Sequence, residues 1–122
     1  MRFTQDSGSA TNVIRAYGAG EIRINDAVFR RPVIVSASAI ADGPDIAHVD
    51  QLETAHAAGI IALEPELVLL GSGAQQHFPK PQFGAQFLRA SIGFEVMDTG
   101  AACRTFNVLV GEQRRVVALL LP

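Results

Sequence analysis

Gly93-Phe94-Glu95-Val96-Met97-Asp98-Thr99-Gly100-Ala101-Ala102-Cys103-Arg104-Thr105-Phe106-Asn107-Val108-Leu109, followed by Arg114-Arg115-Val116-Val117-Ala118-Leu119-Leu120-Leu121, places a strand, a capped helix and a buried strand within fewer than thirty residues. Ile92 to Met97 has the composition of a strand. Asp98 has the side chain of a helix N-cap, able to accept the amide hydrogens of Gly100 or Ala101. From there Ala102, Phe106, Leu109 and Val110 share one helical face, Cys103 lies at its edge, and Arg104 and Asn107 point away from it. The spacing predicts a helix over 98–110 with Gly111 as its stop, and a last strand over 115–121.

Upstream, Glu66-Leu67-Val68-Leu69-Leu70 is a short continuous apolar run ended by Gly71-Ser72-Gly73, the pattern of a parallel strand covered on both faces. Pro79 and Pro81 pre-set a helix start, and Phe83, Phe87 and Ala90 give it an apolar stripe up to the break at 91–93. Asp42-Gly43-Pro44-Asp45 is a break, after which Ile46, Val49, Leu52 and Ala55 recur at helical spacing, so a helix over about 45–58 is expected. Glu21-Ile22-Arg23-Ile24, the turn pair Asn25-Asp26, and Val28-Phe29 leading to Pro32-Val33-Ile34-Val35 read as a hairpin running into an inner strand. Residues 4–12 are small and polar and are expected to form a loose lead-in, with 1–12 lying outside the ordered part. The alternation of strands and helices implies one α/β domain of three layers, with helices on both faces of a central sheet and no internal repeat.

The chain has 122 residues, 48% of them hydrophobic, enough apolar side chain for one real core. Leu67 to Leu70 and Val116 to Leu121 fall far short of the roughly 18 residues that a membrane span needs, so no membrane insertion is expected. Residues 1–20, with Asp6, Gly8, Gly18 and Gly20, carry neither a secretion signal nor an Arg-rich transit pattern, and a cytoplasmic location is expected. The single cysteine agrees with a reducing compartment. Charge is uneven: residues 32–79 hold Asp42, Asp45, Asp50, Glu53, Glu64 and Glu66 and no Lys or Arg, while each end is net basic. The pI near 5.8 and the lack of a dominant basic stripe argue against nucleic acid. Nine of the ten basic residues are Arg; compositional bias accounts for this more simply than anion recognition.

The candidate site gathers where a helix begins at the end of a strand, the usual ligand position in open α/β sheets. Its residues are Gly71, Ser72, Gly73, Glu95, Asp98, Thr99, Arg104 and Asn107. Gly71-Ser72-Gly73 starts like a dinucleotide motif, but Gln76 stands where the third glycine belongs, and a strand-to-loop turn is the preferred reading. Capping alone explains Asp98. Gly100, Ala101 and Ala102 leave the first turn nearly bare, open to another backbone or an anion, with close packing against a strand the commoner reason. Cys103, five residues past the cap, lies ~7 Å down the helix among apolar neighbours, a core thiol rather than a nucleophile. His77 is the one histidine expected at the same sheet end; His48 and His56 read as helix-surface residues. No His-Glu-x-x-His or Cys-x-x-Cys unit exists, so neither metal nor other cofactor is expected. Glu95, on a strand expected to be covered on both faces, requires a partner such as Arg104, Arg114 or Arg115; a structural ion pair and a site carboxylate are equal readings.

Gly71-Ser72-Gly73, Glu95-Val96-Met97-Asp98-Thr99, the run from Ala101 to Leu109 and Arg114-Arg115-Val116-Val117-Ala118 together resemble the domain-of-unknown-function family that includes the mitochondrial NADH dehydrogenase (complex I) assembly factor 3. The resemblance runs from about Tyr17 to Leu121. It implies a three-layer α/β fold around a mixed sheet with one strand antiparallel to the others. It implies no established activity for bacterial members, and for the mitochondrial relative a role in binding assembly partners. Ser72 stands where relatives often carry Thr, the tryptophan of many relatives is missing, and no mitochondrial presequence is seen, so the organelle role does not carry over directly.

Two functions compete. One is a non-catalytic interaction protein that assists assembly of a respiratory or membrane-associated complex, its acidic middle and basic ends serving as complementary faces. The other is a small-molecule binder or enzyme for an anion or acyl group, using a pocket between Gly71–Gly73 and Asp98–Gly100. The balance leans away from catalysis. Protein partners are expected, and a homo-oligomer is open if an edge strand such as Glu21 to Ile24 pairs with a second chain.

Overall fold

β4 (Val33–Ser36), β5 (Ile40–Asp42), β6 (Leu67–Gly71), β7 (Gly93–Met97) and β8 (Val116–Leu120) form a five-stranded mixed sheet in the order β5-β4-β8-β6-β7. β8 is parallel to β6 and β6 to β7, while β4 is antiparallel to both its neighbours, so one strand runs against the other four. The computed structural model describes residues 11–122. Most of the lead-in expected over 4–12 lies outside the described residues; Asn12, its last residue, is buried, and its Nδ2 donates to the carbonyls of Ser36 (2.9 Å) and Ala39 (3.2 Å).

Strand alternation sorts the core into two halves. On one face Leu69, Ala118, Leu120, Val33 and Val35 pack against Ala102, Phe106 and Val110 of helix α3 (Thr99–Gly111). On the other, Val68, Leu70, Val117 and Leu119 pack against Phe83 and Phe87 of helix α2 (Pro81–Arg89). The domain is thus three-layered with helices on both faces, as the alternation of elements predicts.

The sequence reading departs from the structure at the N-terminal third. The expected hairpin belongs to a second sheet of three antiparallel strands, β1 (Ile14–Gly18), β2 (Glu21–Ile24) and β3 (Ala27–Phe29), which caps the α3 face through buried Ile14, Ile22 and Ile24. Asn25-Asp26 is its turn, with Asn25 at φ 54°. Glu21–Ile24 is therefore the middle strand and not an edge.

The expected helix over 45–58 is replaced by two single 3-10 turns, Val49–Gln51 and Thr54–Ala57, and the one-turn helix α1 (Ala58–Ile61). Side chains cap each short turn instead: Gln51 Oε1 accepts from Ala47 (2.8 Å) and His48 (3.0 Å), and the amides of Asp50 and Glu53, which a continuous helix would use, donate to His48 Nδ1 (3.2 Å) and His56 Nδ1 (3.0 Å). Leu52 and Glu53 stay extended between the turns; of the expected stripe Val49 and Leu52 are buried and Ile46 partly so, whereas Ala55 is exposed and Ala57 and Ile60 enter the core instead. His48 and His56 are consequently turn-capping residues.

Both longer helices end in the same way. After α2, Ser91 (φ 61°) donates to Leu88 O and Ile92 to Phe87 O; after α3, Gln113 (φ 62°) donates to Val110 O and Arg114 to Leu109 O. These are Schellman closures with a non-glycine residue in the left-handed position. Gly111, expected as the stop, is the last residue of the helix.

Candidate functional site

α3 starts where the sequence places it. Asp98 Oδ1 accepts from the Ala101 amide at 2.9 Å, which leaves the carboxylate occupied as a cap. Thr99 is buried and joins three chain segments: its Oγ1 donates to Leu121 O at 2.6 Å and accepts from Gly73 N at 2.8 Å, while its amide donates to Gly73 O at 2.8 Å. Ser72 closes the loop after β6, its hydroxyl lying 2.7 Å from Gln75 O and 2.9 Å from the His77 amide that donates to it. Gly71 is required by packing, since an added Cβ would lie 3.0 Å from Leu120 Cδ2 and 3.1 Å from Thr99 Cα. Gly73 has φ 109°, a turn position that favours glycine. Three of the polar groups in this cluster are thus committed to local backbone.

A cavity of about 340 Å³ does open between the two loops, lined by Gly73, Asp98, Thr99, Gly100, Arg104 and Tyr17. Gly71 and Ser72 are buried behind its wall. Tyr17 was not among the residues expected from sequence, nor was the turn Gly18-Ala19-Gly20 that brings it there with three successive positive φ values. Gly-Ala-Gly signals a tight turn, but nothing local tells that the turn faces α3. The Tyr17 ring lies against Gly100, where a Cβ would come within 2.6 Å of Tyr17 Cε1. Arg104 Nη1 donates to the Tyr17 hydroxyl. The bare first turn of α3 is therefore filled by a packed aromatic ring, the commoner of the two sequence readings.

Glu95 and Asn107 do not join the cavity. Glu95 is exposed, because β7 is an edge strand and is not covered on both faces; no salt bridge holds it among the described residues. Its proposed partners are engaged elsewhere: Arg104 on Tyr17, the Arg115 guanidinium on the Glu64 carbonyl (Nε donating at 3.2 Å), and Arg114 on Glu66, whose Oε2 accepts from Arg114 Nε at 2.9 Å and Oε1 from the Arg115 backbone amide at 3.0 Å. That amide and the Arg114 guanidinium hold Glu66 below the usual carboxylate range. Asn107 is taken up wholly by β1, bonding both backbone groups of Ile14.

Cys103 is buried, and burial pushes its thiol up to about 11, with Arg104 opposing and Asp98 adding slightly. It stays a protonated core group at neutral pH. His77, exposed, pairs with the ring of His48 at 5.0 Å rather than with the thiol. Among the described residues no three His, Cys, Asp or Glu side chains converge as a metal-binding set, and no helix is long and apolar enough to cross a membrane.

Comparison with known proteins supplies the lineage. The chain is 35% identical to a Bordetella parapertussis protein of known crystal structure, with TM-score 0.86 over 93% of this chain and 97% of that one. It is 30% identical over 123 residues to the NADH dehydrogenase [ubiquinone] 1 alpha subcomplex assembly factor 3 of Danio rerio, covering all of this chain and 71% of that protein. It is also 27% identical, over 99% of both chains, to a Francisella tularensis protein named 13 kDa major membrane protein. The family model described as protein of unknown function (DUF498/DUF598) matches residues 14–121, and the chain belongs to that family.

Proposed function

We propose that this protein is a non-catalytic interaction protein of the cytoplasm that assists assembly of a respiratory or other membrane-associated complex. The observation that carries this reading is the similarity, across the whole chain, to a relative named as an NADH dehydrogenase assembly factor. The site chemistry supports it. Asp98 and Thr99 are spent on backbone amides and carbonyls, Glu21 is paired with Arg30 and Tyr17 with Arg104, and the one thiol is buried and protonated, which favours binding over catalysis. The relative named as a membrane protein fits a protein that meets its partners at a membrane surface without crossing it.

The test is deletion in the source cells combined with affinity capture of the tagged chain. A fall in assembled, NADH-oxidising membrane complex together with a reproducible protein partner supports the reading. An unchanged complex and no reproducible partner sink it.

The cavity of about 340 Å³ supports a second reading, a small anionic or acyl ligand held by Arg104 and the loops at Gly73 and Gly100. A thermal-shift screen repeated on Asp98→Ala and Arg104→Ala separates the two: a ligand whose stabilisation disappears in folded variants favours this second reading.

A further inference from the structure

β7 is an open edge. Gly93 N donates to Glu66 O and Met97 O accepts from Ser72 N, so the backbone groups of residues 93 and 97 face β6. By strand alternation the amides and carbonyls of Phe94 and Val96 face outward. Only one outward group has a partner among the described residues: Val96 O accepts from the exposed Gln76 side chain at 3.0 Å. An unprotected row of this kind is a template for another strand.

Beside that edge lies an apolar groove of about 390 Å³ between α2 and the segment before it, formed by Phe78, Pro79, Gly84, Leu88, Phe94 and Val96. Phe78 and Leu88 are 68% and 69% exposed, the two most exposed large hydrophobic residues described. Gly84 lets the Phe94 ring lie directly against α2, since a Cβ there would lie 2.8 Å from the ring. Phe94 and Val96 belong to the core half on the α2 side, so Glu95 between them points to the opposite face of the sheet, exposed and without an ion-pair partner among the described residues.

We infer that β7 and this groove receive an extended segment of a different protein, added as a sixth strand, with an apolar–basic–apolar alternation: two apolar side chains enter the groove beside Phe94 and Val96, and a Lys or Arg between them meets Glu95. Charge decides the occupant. In a second copy, the antiparallel register that uses both outward residues sets Phe94 against Val96 and brings two Glu95 carboxylates opposite each other, a repelling arrangement. A lipid surface would cover Phe78 and Leu88 but cannot pair the outward amides, and it gives Glu95 nothing. This inference rests on the interaction reading above and deepens it by naming the surface and the partner's chemistry.

The test is selection of random octapeptides displayed on phage against the full chain, followed by affinities of the selected peptide for variants. The expected consensus alternates apolar, Lys or Arg, apolar. Glu95→Arg should weaken the peptide by at least about tenfold. Val96→Pro, which deletes an outward donor, changes the apolar side chain in the groove and is tolerated on an edge strand, should do the same, with folding checked by circular dichroism. Phe78→Ser combined with Leu88→Ser should also abolish binding. Selection that returns no binder, or a binder indifferent to Glu95→Arg, overturns the inference. So does a concentration-dependent dimer lost in Glu95→Arg or Val96→Pro, or co-sedimentation with phosphatidylglycerol vesicles lost in the Phe78→Ser, Leu88→Ser variant. Cellular capture distinguishes this failure from failure of the wider reading: a partner retained by Glu95→Arg and Val96→Pro overturns the edge site alone, whereas no partner at all overturns the assembly role.

Discussion

Asn107 holds Ile14 by both of its backbone groups: its Oδ1 accepts from the Ile14 amide at 3.0 Å and its Nδ2 donates to the Ile14 carbonyl at 2.8 Å. This pair fastens the three-stranded sheet to α3 across 93 positions of chain. Asn107→Ala leaves an amide and a carbonyl of a buried residue unpaired, which costs about 2–4 kcal/mol in all. Asn107→Asp keeps the acceptor but turns a carboxylate oxygen toward the Ile14 carbonyl, so it should recover little of that loss near neutral pH. Urea unfolding measures both. A stability unchanged in Asn107→Ala would mean that β1 is not held this way and would return Asn107 to the list of free site residues.

The Tyr17 ring occupies the space that a Cβ at Gly100 would take. Gly100→Ala gains helix propensity of roughly 1 kcal/mol but forces the ring away, and the net effect should be destabilising while Tyr17 is present. In a Tyr17→Ala background the same substitution should become stabilising. A double-mutant cycle reads the difference; strict additivity would show that ring and glycine do not touch. The cycle also tests the cavity, because a displaced Tyr17 releases Arg104.

Cys103 should resist a soluble disulfide reagent at about pH 8 in the native chain and react only as fast as the chain unfolds. Its thiol is raised from 9.0 to about 11 in the fold, so the folded state holds the proton more tightly than the unfolded one. The stabilisation is fully present below pH 9 and is lost as pH rises through 11. Between those limits the native chain should lose about 2–3 kcal/mol that Cys103→Ala does not lose. Parallel pH curves for the two proteins would refute the core placement of the thiol.

The sheet and its two long helices are legible in the sequence because each carries its own punctuation: the apolar run ended by Gly71, Pro81 at a helix start, Asp98 at another. The helix expected over 45–58 fails for a physical reason visible only in three dimensions. Val49 and Leu52 keep the apolar contacts, but His48 and His56 take amides that a continuous helix would use. Glu95 fails for another, since no local pattern distinguishes an inner strand from the edge strand β7. The candidate cavity is half legible: Asp98, Thr99, Arg104 and Gly73 line it and stand together at one sheet end in the sequence reading, while Tyr17 arrives through the pairing of β1 with β2 and its packing on α3, a long-range contact that no window of sequence contains.

Ser91 and Gln113 occupy left-handed positions at φ 61° and 62°, each closing a Schellman motif that glycine normally closes. A Cβ in this region costs roughly 1–2 kcal/mol, and glycine returns part of that through its freer unfolded chain. Ser91→Gly and Gln113→Gly should therefore each stabilise the fold by about 0.5–1 kcal/mol. Both residues are exposed and neither side chain makes a hydrogen bond among the described residues, so no compensating contact is lost. They follow helices on opposite faces of the sheet, so the double variant should show the sum of the two gains in urea unfolding. Gly111→Ala is the matched control: the residue is the last of α3, with helical backbone, meets nothing within 4 Å at its Cβ position, and should stabilise through helix propensity alone. If Gly111→Ala destabilises while Gln113→Gly is neutral, the helix ends before Gly111 in solution, with Gly111 itself as the left-handed stop, and the closure at Gln113 is wrong.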